Sequence, residues 1–355
     1  MESVINTVVN YLLPFVFVLG LLIIVHEFGH FILAKLSGIR VERFSIGFPP
    51  RLFGVKWGDT DYCISALPFG GYVKMSGMID ESMEKDSIKG EPYEFMSKPI
   101  WVRSLVISAG PVFNVLLTVF IFTASFLASG VPEAVGPVVG SVGEETPAQA
   151  LGLLAGDTIT RIDGQEVDQW EDLVHIIHNA PGRELAIEWQ RDGESFSGTV
   201  VPEKDLIQDI GLIGIGPKTE VRPAGFFESV GLGFSSTYNL SKLIFRSFGL
   251  LFRGEVKFKE GLAGPVRIAQ MAGDSAKGGF GNLLVFAAFL SLNLGFLNLL
   301  PFPVLDGGHL VFLGIEAVIR RPLSVKLKLI VQQVGMALLL ALMLYVIFND
   351  VTHII

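Results

Sequence analysis

The chain has 355 residues, of which 50% are hydrophobic and only 17% are charged. This composition excludes an ordinary soluble protein of this length and favours a membrane protein that crosses the bilayer several times. The single cysteine, Cys63, excludes an internal disulfide and a thiolate metal cage, and the net charge of −8, without any basic stretch interleaved with aromatics, gives no indication of nucleic acid binding.

Four stretches that lack Asp, Glu, Lys and Arg are long enough to cross the roughly 30 Å hydrocarbon core of a bilayer as helices. These predicted transmembrane segments are residues 3–26, 104–132, 278–305 and 329–349. A signal peptide is a poor alternative for the first segment, because it has neither a basic leading region nor a small-residue cleavage site. Lys and Arg are frequent in the first and third connections, so the positive-inside rule places both connections in the cytoplasm and both termini outside.

The first segment runs into His-Glu-Phe-Gly-His at residues 26–30, which has the H-E-x-x-H pattern of zinc peptidases. Residues four apart on a helix share a face, so His26 and His30 can bind one Zn²⁺. Glu27 lies one position around the helix and can reach a metal-bound water as general base without being a ligand. Ionisable groups at membrane depth are costly, which itself indicates a function.

Residues 31–98 form a Gly-rich segment with short runs typical of β-strands, at Arg40–Ile46, Asp61–Ala66 and Gly71–Met75. The run Leu67–Met75 is apolar, contains turn residues and then alternates, which predicts a hairpin with a free edge. Two interpretations are open. The strands can form a small cytoplasmic sheet that supports the helices, or the edge strand can lie beside the active site and pair with a substrate backbone.

Residues 131–205 have the composition of a separate soluble domain, with a helix predicted near Trp170–His178. The predicted strands of this domain are Val135–Val142, Thr158–Ile162, Glu184–Gln190 and Ser195–Val201. The run from Leu151 to Gly164 resembles the L-x-x-G-D-x-I-x-x-I-x-G signature of bacterial PDZ domains. This resemblance implies a groove that binds an extended peptide by strand addition.

Residues 206–277 contain an apolar and aromatic stretch, Phe226–Phe252, which charged residues interrupt. A fifth span at this position would reverse the orientation of the last two segments. The stretch therefore predicts a helix that lies along the outer membrane interface.

Two histidines do not complete a catalytic zinc site, because zinc enzymes of this kind use three protein ligands and leave one position for water. The metzincin pattern requires a third His where Leu36 stands. A thermolysin-like arrangement requires a Glu on a following helix, whereas Glu42 lies in the β-like segment. Asp306 is the remaining strong candidate, because it follows the third apolar segment on the predicted cytoplasmic side. Pro301 and Pro303 preclude a regular helix before it. A structural kink with a capping Asp is the alternative interpretation.

These motifs, together with Gly110–Asn114 in the second segment, resemble in their order those of the site-2 protease family of intramembrane zinc metalloproteases, of the bacterial RseP/RasP type. The resemblance covers nearly the whole chain, with room for one PDZ domain where Gram-negative RseP proteins typically have two. It implies a bacterial cytoplasmic (inner) membrane, one zinc ion, Glu27 as catalytic residue, and the zinc ligands His26, His30 and Asp306. It also implies that the Leu67–Met75 hairpin and Asn298 hold the substrate backbone, with hairpin contacts at Gly70, Gly71, Tyr72 and Val73.

The predicted architecture is a polytopic α-helical membrane protein with four transmembrane helices, a membrane-associated β-hairpin or sheet and one inserted extracytoplasmic PDZ domain. Residues 1–130 would form the first half of the protease domain, and residues 131–205 would form the PDZ domain. Residues 206–277 would be extracytoplasmic or interfacial, and residues 278–355 would form the second half of the protease domain. The active site would lie near the cytoplasmic side.

The expected function is regulated intramembrane proteolysis by a zinc metalloendopeptidase, in which Glu27 activates a zinc-bound water that hydrolyses a bond within a transmembrane segment. Anti-sigma factors and signal-peptide remnants are the expected substrates. The expected partners are unwound transmembrane substrates, peptide C-termini or ectodomain remnants at the PDZ domain, and the lipid bilayer. One alternative is a membrane-tethered zinc peptidase with a cytoplasmic site and a third ligand within residues 31–98. Another is a non-enzymatic PDZ scaffold or transporter in which the His pair is incidental.

Overall fold

The computed structural model describes residues 8–78, 89–255 and 264–354. The start of the first predicted span, residues 3–7, lies outside this part, as do residues 79–88 and 256–263 of the predicted connections. The chain divides into two compact units. The membrane unit comprises residues 1–123, 232–240 and 256–355, and the inserted unit comprises residues 124–231 and 241–255.

The described α-helices are, in chain order, α1 (Leu13–Leu36), α2 (Ile100–Ser129), α3 (Pro147–Leu151), α4 (Trp170–His178), α5 (Phe226–Arg253), α6 (Pro265–Lys277), α7 (Phe280–Asn298), α8 (Asp306–Ile319) and α9 (Val325–Ile354). A π-helical stretch, Val8–Leu12, precedes α1. Four helices of the described part are long and apolar enough to cross a membrane, as predicted. These spans are Val8–Leu36, Ile100–Ser129, Phe280–Asn298 and Val325–Asp350.

The first and third spans differ most from their predicted ends, for identifiable reasons. The first helix continues to Leu36. Glu27 ends the charge-free stretch from which the span was predicted, but it does not end the helix, which contains both histidines. The third ends at Asn298 rather than at residue 305, because Pro301 and Pro303 cannot donate helix hydrogen bonds. A separate helix, α8, begins at Asp306; it was not predicted, because Asp306 and Glu316 leave no long charge-free stretch within it.

The connection between α1 and α2 contains two long strands, β1 (Val41–Trp57) and β2 (Thr60–Met75). Phe44 of β1 lies opposite both Val73 and Tyr62, so β2 flanks the first half of β1 on both sides. The predicted sheet is present. The stretch from Arg43 to Ile46 pairs in parallel with Asp61–Ile64 and antiparallel with Gly71–Lys74, so the chain reverses between Ile64 and Gly71, at the start of the predicted hairpin. The sequence did not predict the other reversal, at Gly58, which has φ +61°.

The inserted unit contains the strands β3 (Val131–Val142), β4 (Thr158–Ile162), β5 (Gln165–Glu166), β6 (Leu185–Arg191), β7 (Glu194–Val200), β8 (Glu203–Asp205), β9 (Ile210–Leu212) and β10 (Ile215–Arg222). A six-stranded sheet has the order β10-β3-β4-β6-β7, with β5 paired to β4. Its core includes Ile159, Leu173 and Ile187, all almost completely buried. The sheet extends past the predicted boundary at residue 205, because β10 pairs with β3 along its length.

In the membrane unit, a hydrophobic cluster joins the ends of α1 and α8 to β1, β2 and the start of α2. Its buried members are Ala34, Ile39, Val41, Val73, Met75, Phe95, Val106, Ile107 and Leu313. The end of β2 is therefore fixed against the helix that carries the histidines. Helix α5 is present over the stretch predicted to be helical, and its place along the outer interface stays a prediction.

Candidate metal centre

Three side chains from opposite ends of the chain converge in the membrane unit: His26 and His30 on α1, and Asp306 at the start of α8. The two His Nε2 atoms lie 3.2 Å apart. The Asp306 Oδ2 atom lies 3.1 Å from Nε2 of His26 and 3.5 Å from Nε2 of His30. A tetrahedral zinc with bonds of about 2.0–2.1 Å has ligand atoms about 3.3–3.4 Å apart, so the triangle fits three of its four positions.

The electrostatics of this triangle also favour a cation. All three residues are buried or nearly so, with side-chain exposures of 11%, 10% and 17% in the order His26, His30, Asp306. Asp306 Oδ2 has no hydrogen bond of good geometry among the described residues. Nitrogen lone pairs and a carboxylate oxygen that face one another repel unless a proton or a metal ion lies between them.

His30 is held in the orientation that a metal ligand needs. Its Nδ1 atom lies 2.9 Å from the carbonyl oxygen of Val106 on α2, so Nδ1–H donates and Nε2 keeps its lone pair for a metal. The ring stands edge-on to that of His26, with centroids 4.8 Å apart and an interplanar angle of 80°. The helical spacing alone placed the rings on one face, and Val106 fixes one of them.

His26 has a corresponding partner in Asn114, which is completely buried on α2. The amide nitrogen of Asn114 lies 3.3 Å from His26 Nδ1, and the Asn114 Oδ1 atom has no partner among the described residues. Exchanging the amide oxygen and nitrogen, which are hard to tell apart, lets His26 Nδ1–H donate to Oδ1 and satisfies both groups. Sequence reasoning placed Asn114 in a motif without giving it a role.

Two glycines allow α2 to lie directly against the histidines. A Cβ atom on Gly110 would stand 2.3 Å from His30 Nε2 and 2.8 Å from His26 Nε2, where the ligand atoms are. A Cβ atom on Gly29 would stand 2.5 Å from the carbonyl oxygen of Ala109. Both positions therefore require glycine for close approach rather than for a special backbone conformation.

Asp306 is presented by a tightly folded segment between α7 and α8. A Cβ on Gly307 would meet the carbonyl oxygens of Leu299 and Leu300 at 2.3 and 2.1 Å, and one on Gly308 would meet that of Phe302 at 2.2 Å. The glycine pair after the carboxylate therefore serves close packing.

Glu27 lies outside the triangle and beside the end of β2. A Cβ on Gly71 would come within 3.3 Å of the Glu27 side chain, and the Val73 backbone N–H donates a hydrogen bond to its carboxylate. The acid is thus placed between the candidate ligands and a strand, without being a candidate ligand itself. This arrangement suits a general base.

The other predicted substrate-binding residues divide into two groups. The Asn298 amide nitrogen lies 3.5 Å from His26 Nε2, beside the candidate metal position. Tyr72 and Gly70 lie away from the histidines: the Tyr72 hydroxyl accepts a hydrogen bond of 3.0 Å from Arg43, and a Cβ on Gly70 would strike the ring of Phe48. Tyr72 and Gly70 therefore contact other parts of the sheet, whereas Gly71 and Val73 face the catalytic candidate.

Glu42, the ligand considered within the β-like segment, and His309, which follows Asp306 closely, have other partners. Glu42 faces Lys74 at 3.9 Å, and His309 Nε2 lies 3.3 Å from the amide nitrogen of Gln332. Within the described residues, the group that can hold a metal contains neither of them, nor any third residue from the cytoplasmic connection.

Comparison with known proteins gives results that agree with this geometry. The profile of peptidase family M50 matches residues 14–342. A protein of Clostridium perfringens, named as a candidate zinc metalloprotease, is 38% identical over 93% of this chain and 95% of its own length. The zinc metalloprotease RasP of Geobacillus kaustophilus is 32% identical over 96% of this chain and 97% of the relative. The regulator of sigma-W protease RasP of Bacillus subtilis is 32% identical over 97% and 98%.

Among solved structures, the PDZ domain of the SdrC-like protein of Listeria monocytogenes is similar to part of the chain. It is 26% identical, covers 22% of this chain and 84% of its own, and has a TM-score of 0.21. The family match and the full-length relatives carry the conclusion. The chain belongs to peptidase family M50 and is a zinc metalloprotease of a bacterial membrane.

Proposed function

We propose that this metalloprotease cleaves peptide bonds within transmembrane segments of other membrane proteins, as a site-2 protease. One observation carries the proposal: Glu27, on a membrane-spanning helix, lies between the His26–His30–Asp306 triangle and the strand end at Gly71 and Val73. A general base, a metal site and a backbone surface for an extended peptide are thereby adjacent. A peptidase acting only on exposed loops has no need of this arrangement at membrane depth.

The residues have distinct roles in this proposal. His26, His30 and Asp306 hold the zinc, which when bound polarises the scissile carbonyl and makes water a stronger nucleophile. Glu27 removes a proton from the attacking water and later delivers it to the leaving amine. Val106 and Asn114 hold the imidazoles by their Nδ1 atoms and so keep both Nε2 atoms directed at the metal.

A transmembrane helix conceals its scissile bonds within hydrogen-bonded turns, so the substrate must first unwind. Pairing with a strand edge replaces some of the lost helix bonds. Alternate residues of a strand direct their N–H and C=O groups to the same side, so Gly71 presents its polar groups on the side where Val73 meets Glu27. Asn298, next to His26, can bind a substrate carbonyl or amide close to the reacting bond.

The decisive experiment reconstitutes the full chain in liposomes with a peptide that spans the bilayer, and locates the cleaved bond by mass spectrometry. Cleavage within the span is expected, and Glu27→Gln should reduce the rate roughly 10²–10⁴-fold while zinc content is unchanged. Cleavage confined to the flanking loops would support the membrane-tethered loop peptidase instead.

We further infer that the inserted unit lies outside the cell as a PDZ domain and excludes substrates whose outer domain has not been trimmed. Anti-sigma factors and signal-peptide remnants are the proposed substrate classes. The pairing of Val131 with Arg222 places the two ends of the sheet about 5 Å apart, so residues 131–222 can be replaced by a short Gly-Ser link.

The shortened chain should cleave untrimmed substrates, and an unchanged need for trimming would contradict this role. Sidedness is tested separately. A cysteine introduced at Lys242 in a variant without Cys63 should react with an impermeant reagent added from outside, and reaction only from inside would reverse the orientation.

A further inference from the structure

Three charged side chains are buried together where three helices of the membrane unit end or begin. Arg103 lies in the first turn of α2, Glu316 in the last turn of α8 and Lys328 in the first turn of α9. Their side-chain exposures are 8%, 1% and 10%. We call this group the buried triad. The proposed chemistry does not use it.

The carboxylate of Glu316 is at the centre of the buried triad and is fully bonded. Its Oε2 atom lies 3.0 Å from Arg103 Nη1, and its Oε1 atom lies 2.7 Å from Lys328 Nζ. The backbone N–H of Leu323, in the turn between α8 and α9, also donates to Oε1 at 3.0 Å. A single carboxylate therefore joins α2, α8, α9 and the turn between the last two.

Each member of the buried triad lies at the less favourable end of its own helix. Cations are stabilised near helix C-termini and anions near N-termini, yet Arg103 and Lys328 follow N-termini and Glu316 precedes a C-terminus. Local helix stability therefore does not account for these residues. The contacts between the helices do.

Two of the joined helices, α2 and α8, also build the metal centre. One turn after Arg103, α2 presents the Val106 carbonyl that holds His30, and then Gly110 against both ligand nitrogens. Helix α8 begins with Asp306, ten residues before Glu316 and about 15 Å along the helix. The buried triad thus holds the far end of the helix whose first residue completes the triangle.

We propose that the buried triad is the positioning group that sets Asp306 against the two histidines, by fixing α8 to α2 and α9. This inference rests on the proposed function in that Asp306 is taken as the third zinc ligand. A non-helical segment precedes Asp306, so the rigid body that defines its position is α8 itself. Release of Glu316 allows α8 to shift, and Oδ2 then leaves the position that a tetrahedral metal requires.

The test measures metal binding rather than proteolysis, on the full chain in lipid nanodiscs. Zinc affinity is obtained by competition with a chelator, and the visible absorption of the Co²⁺-loaded protein reports the geometry of the ligands. Glu316→Gln is the main variant, and Asp306→Asn defines complete loss of the third ligand. Asp157→Asn is the matched control, because Asp157 is an equally buried carboxylate bonded to Arg191 in the inserted unit.

Glu316→Gln should weaken zinc binding roughly 10–100-fold and change the Co²⁺ spectrum, as loss of a supporting contact does in other zinc sites. Asp157→Asn should leave both unchanged. Wild-type affinity and spectrum in Glu316→Gln, with only a lower melting temperature, would reduce the buried triad to a structural ion pair. Wild-type affinity in Asp306→Asn would instead overturn the ligand assignment and with it the proposed function.

A second variant covers the case in which Glu316→Gln fails to fold. Combining Arg103→Met, Glu316→Leu and Lys328→Met replaces the charges with apolar groups, which buried ion clusters often tolerate without loss of stability. If the specific contacts position α8, this variant should fold and still bind zinc weakly with an altered spectrum. Full recovery of both would show that only charge balance matters, and would overturn the positioning role.

Discussion

Each of the two units contains a buried carboxylate bonded to an arginine, but the chain distances differ greatly. In the inserted unit, Asp157 bonds Arg191 at 2.7 Å across 34 residues, beside the paired strands β4 and β6. In the membrane unit, Glu316 bonds Arg103 at 3.0 Å across 213 residues. The first contact closes a local sheet. The second joins helices whose arrangement depends on the whole membrane unit.

The two contacts therefore predict different consequences of substitution. A substitution at Asp157 acts on strands β4 and β6, which are near in sequence, so it should change the stability of the inserted unit and leave the metal centre unaffected. A substitution in the membrane unit alters the relation of α1, α2 and α8, and therefore the metal centre.

The largest effect is expected for Gly110→Ala. The new methyl group would lie 2.3 Å from His30 Nε2, so α2 must move away or the ring must turn, and the triangle cannot form. We expect zinc binding and proteolysis to fall to background, measured by metal content and liposome cleavage.

Gly20→Ala provides the control, because it is also a glycine on a spanning helix and its added Cβ would meet nothing within 4 Å among the described residues. It should retain both properties. Normal zinc content in Gly110→Ala would mean that α2 does not lie against the ligands.

The next effect is expected for Asn114→Ala, which removes the acceptor for His26 Nδ1–H. The ring then loses its fixed tautomer and orientation, and zinc affinity should fall roughly 10–100-fold. Asn293→Ala is the control, because that amide bonds only the Phe289 carbonyl of its own helix among the described contacts. Equal zinc affinity in the two variants would remove Asn114 from the metal centre.

These residues also show what sequence could and could not reveal. The pair His26 and His30 follows from helical spacing, and Asp306 was found by eliminating nearer ligands with the help of a family resemblance. Asn114 and Gly110 were visible as a motif, but their roles depend on which face of α2 meets α1. No local pattern encodes that contact, because it arises from packing between distant helices.

The inserted unit was easier to predict, and its errors are instructive. The helix Trp170–His178 and the strand Thr158–Ile162 have the predicted bounds, because turn residues and alternation fix them locally. Strand β10 lies beyond the predicted boundary at residue 205. Its partner β3 is the first strand of the unit in the sequence, so no local pattern connects the two. In the membrane unit, the turn residues of the Leu67–Met75 run correctly indicated the reversal between Ile64 and Gly71, whereas the reversal at Gly58 was not predicted.

A smaller and purely local effect is expected for Asp157→Asn. Asp157 is buried with a side-chain exposure of 1%, and breaking a buried pair by removing one charge costs about 3 kcal/mol. The inserted unit can be followed alone by fluorescence, because replacing Trp57 and Trp101 by Phe leaves Trp170 and Trp189, which lie within it. The unfolding midpoint should fall while zinc affinity is unchanged, and a loss of zinc would break the contrast between the units.

The same residue gives a pH dependence. Burial by itself would raise the pKa of the Asp157 carboxyl, but hydrogen bonds from Arg191 and from Leu154 N–H hold that pKa below its ordinary value of 3.8. A lowered folded-state pKa means that the stabilisation is complete above the ordinary value and is lost as the pH falls through the folded value. The wild-type unit should therefore lose more stability than Asp157→Asn on acidification below about pH 4.

The smallest effect is expected for Arg161→Ala. Arg161 bonds Glu166 at 2.9 Å across the β4–β5 pair, but the two side chains are 48% and 73% exposed. Exposed pairs contribute little to stability, because water and salt screen them and both side chains lose freedom. The fluorescence midpoint should hardly move, and any shift should vanish in about 1 M salt, where the screening length is near 3 Å. A shift as large as that of Asp157→Asn would show that proximity in sequence, rather than burial, determines how much a charge pair stabilises this sheet.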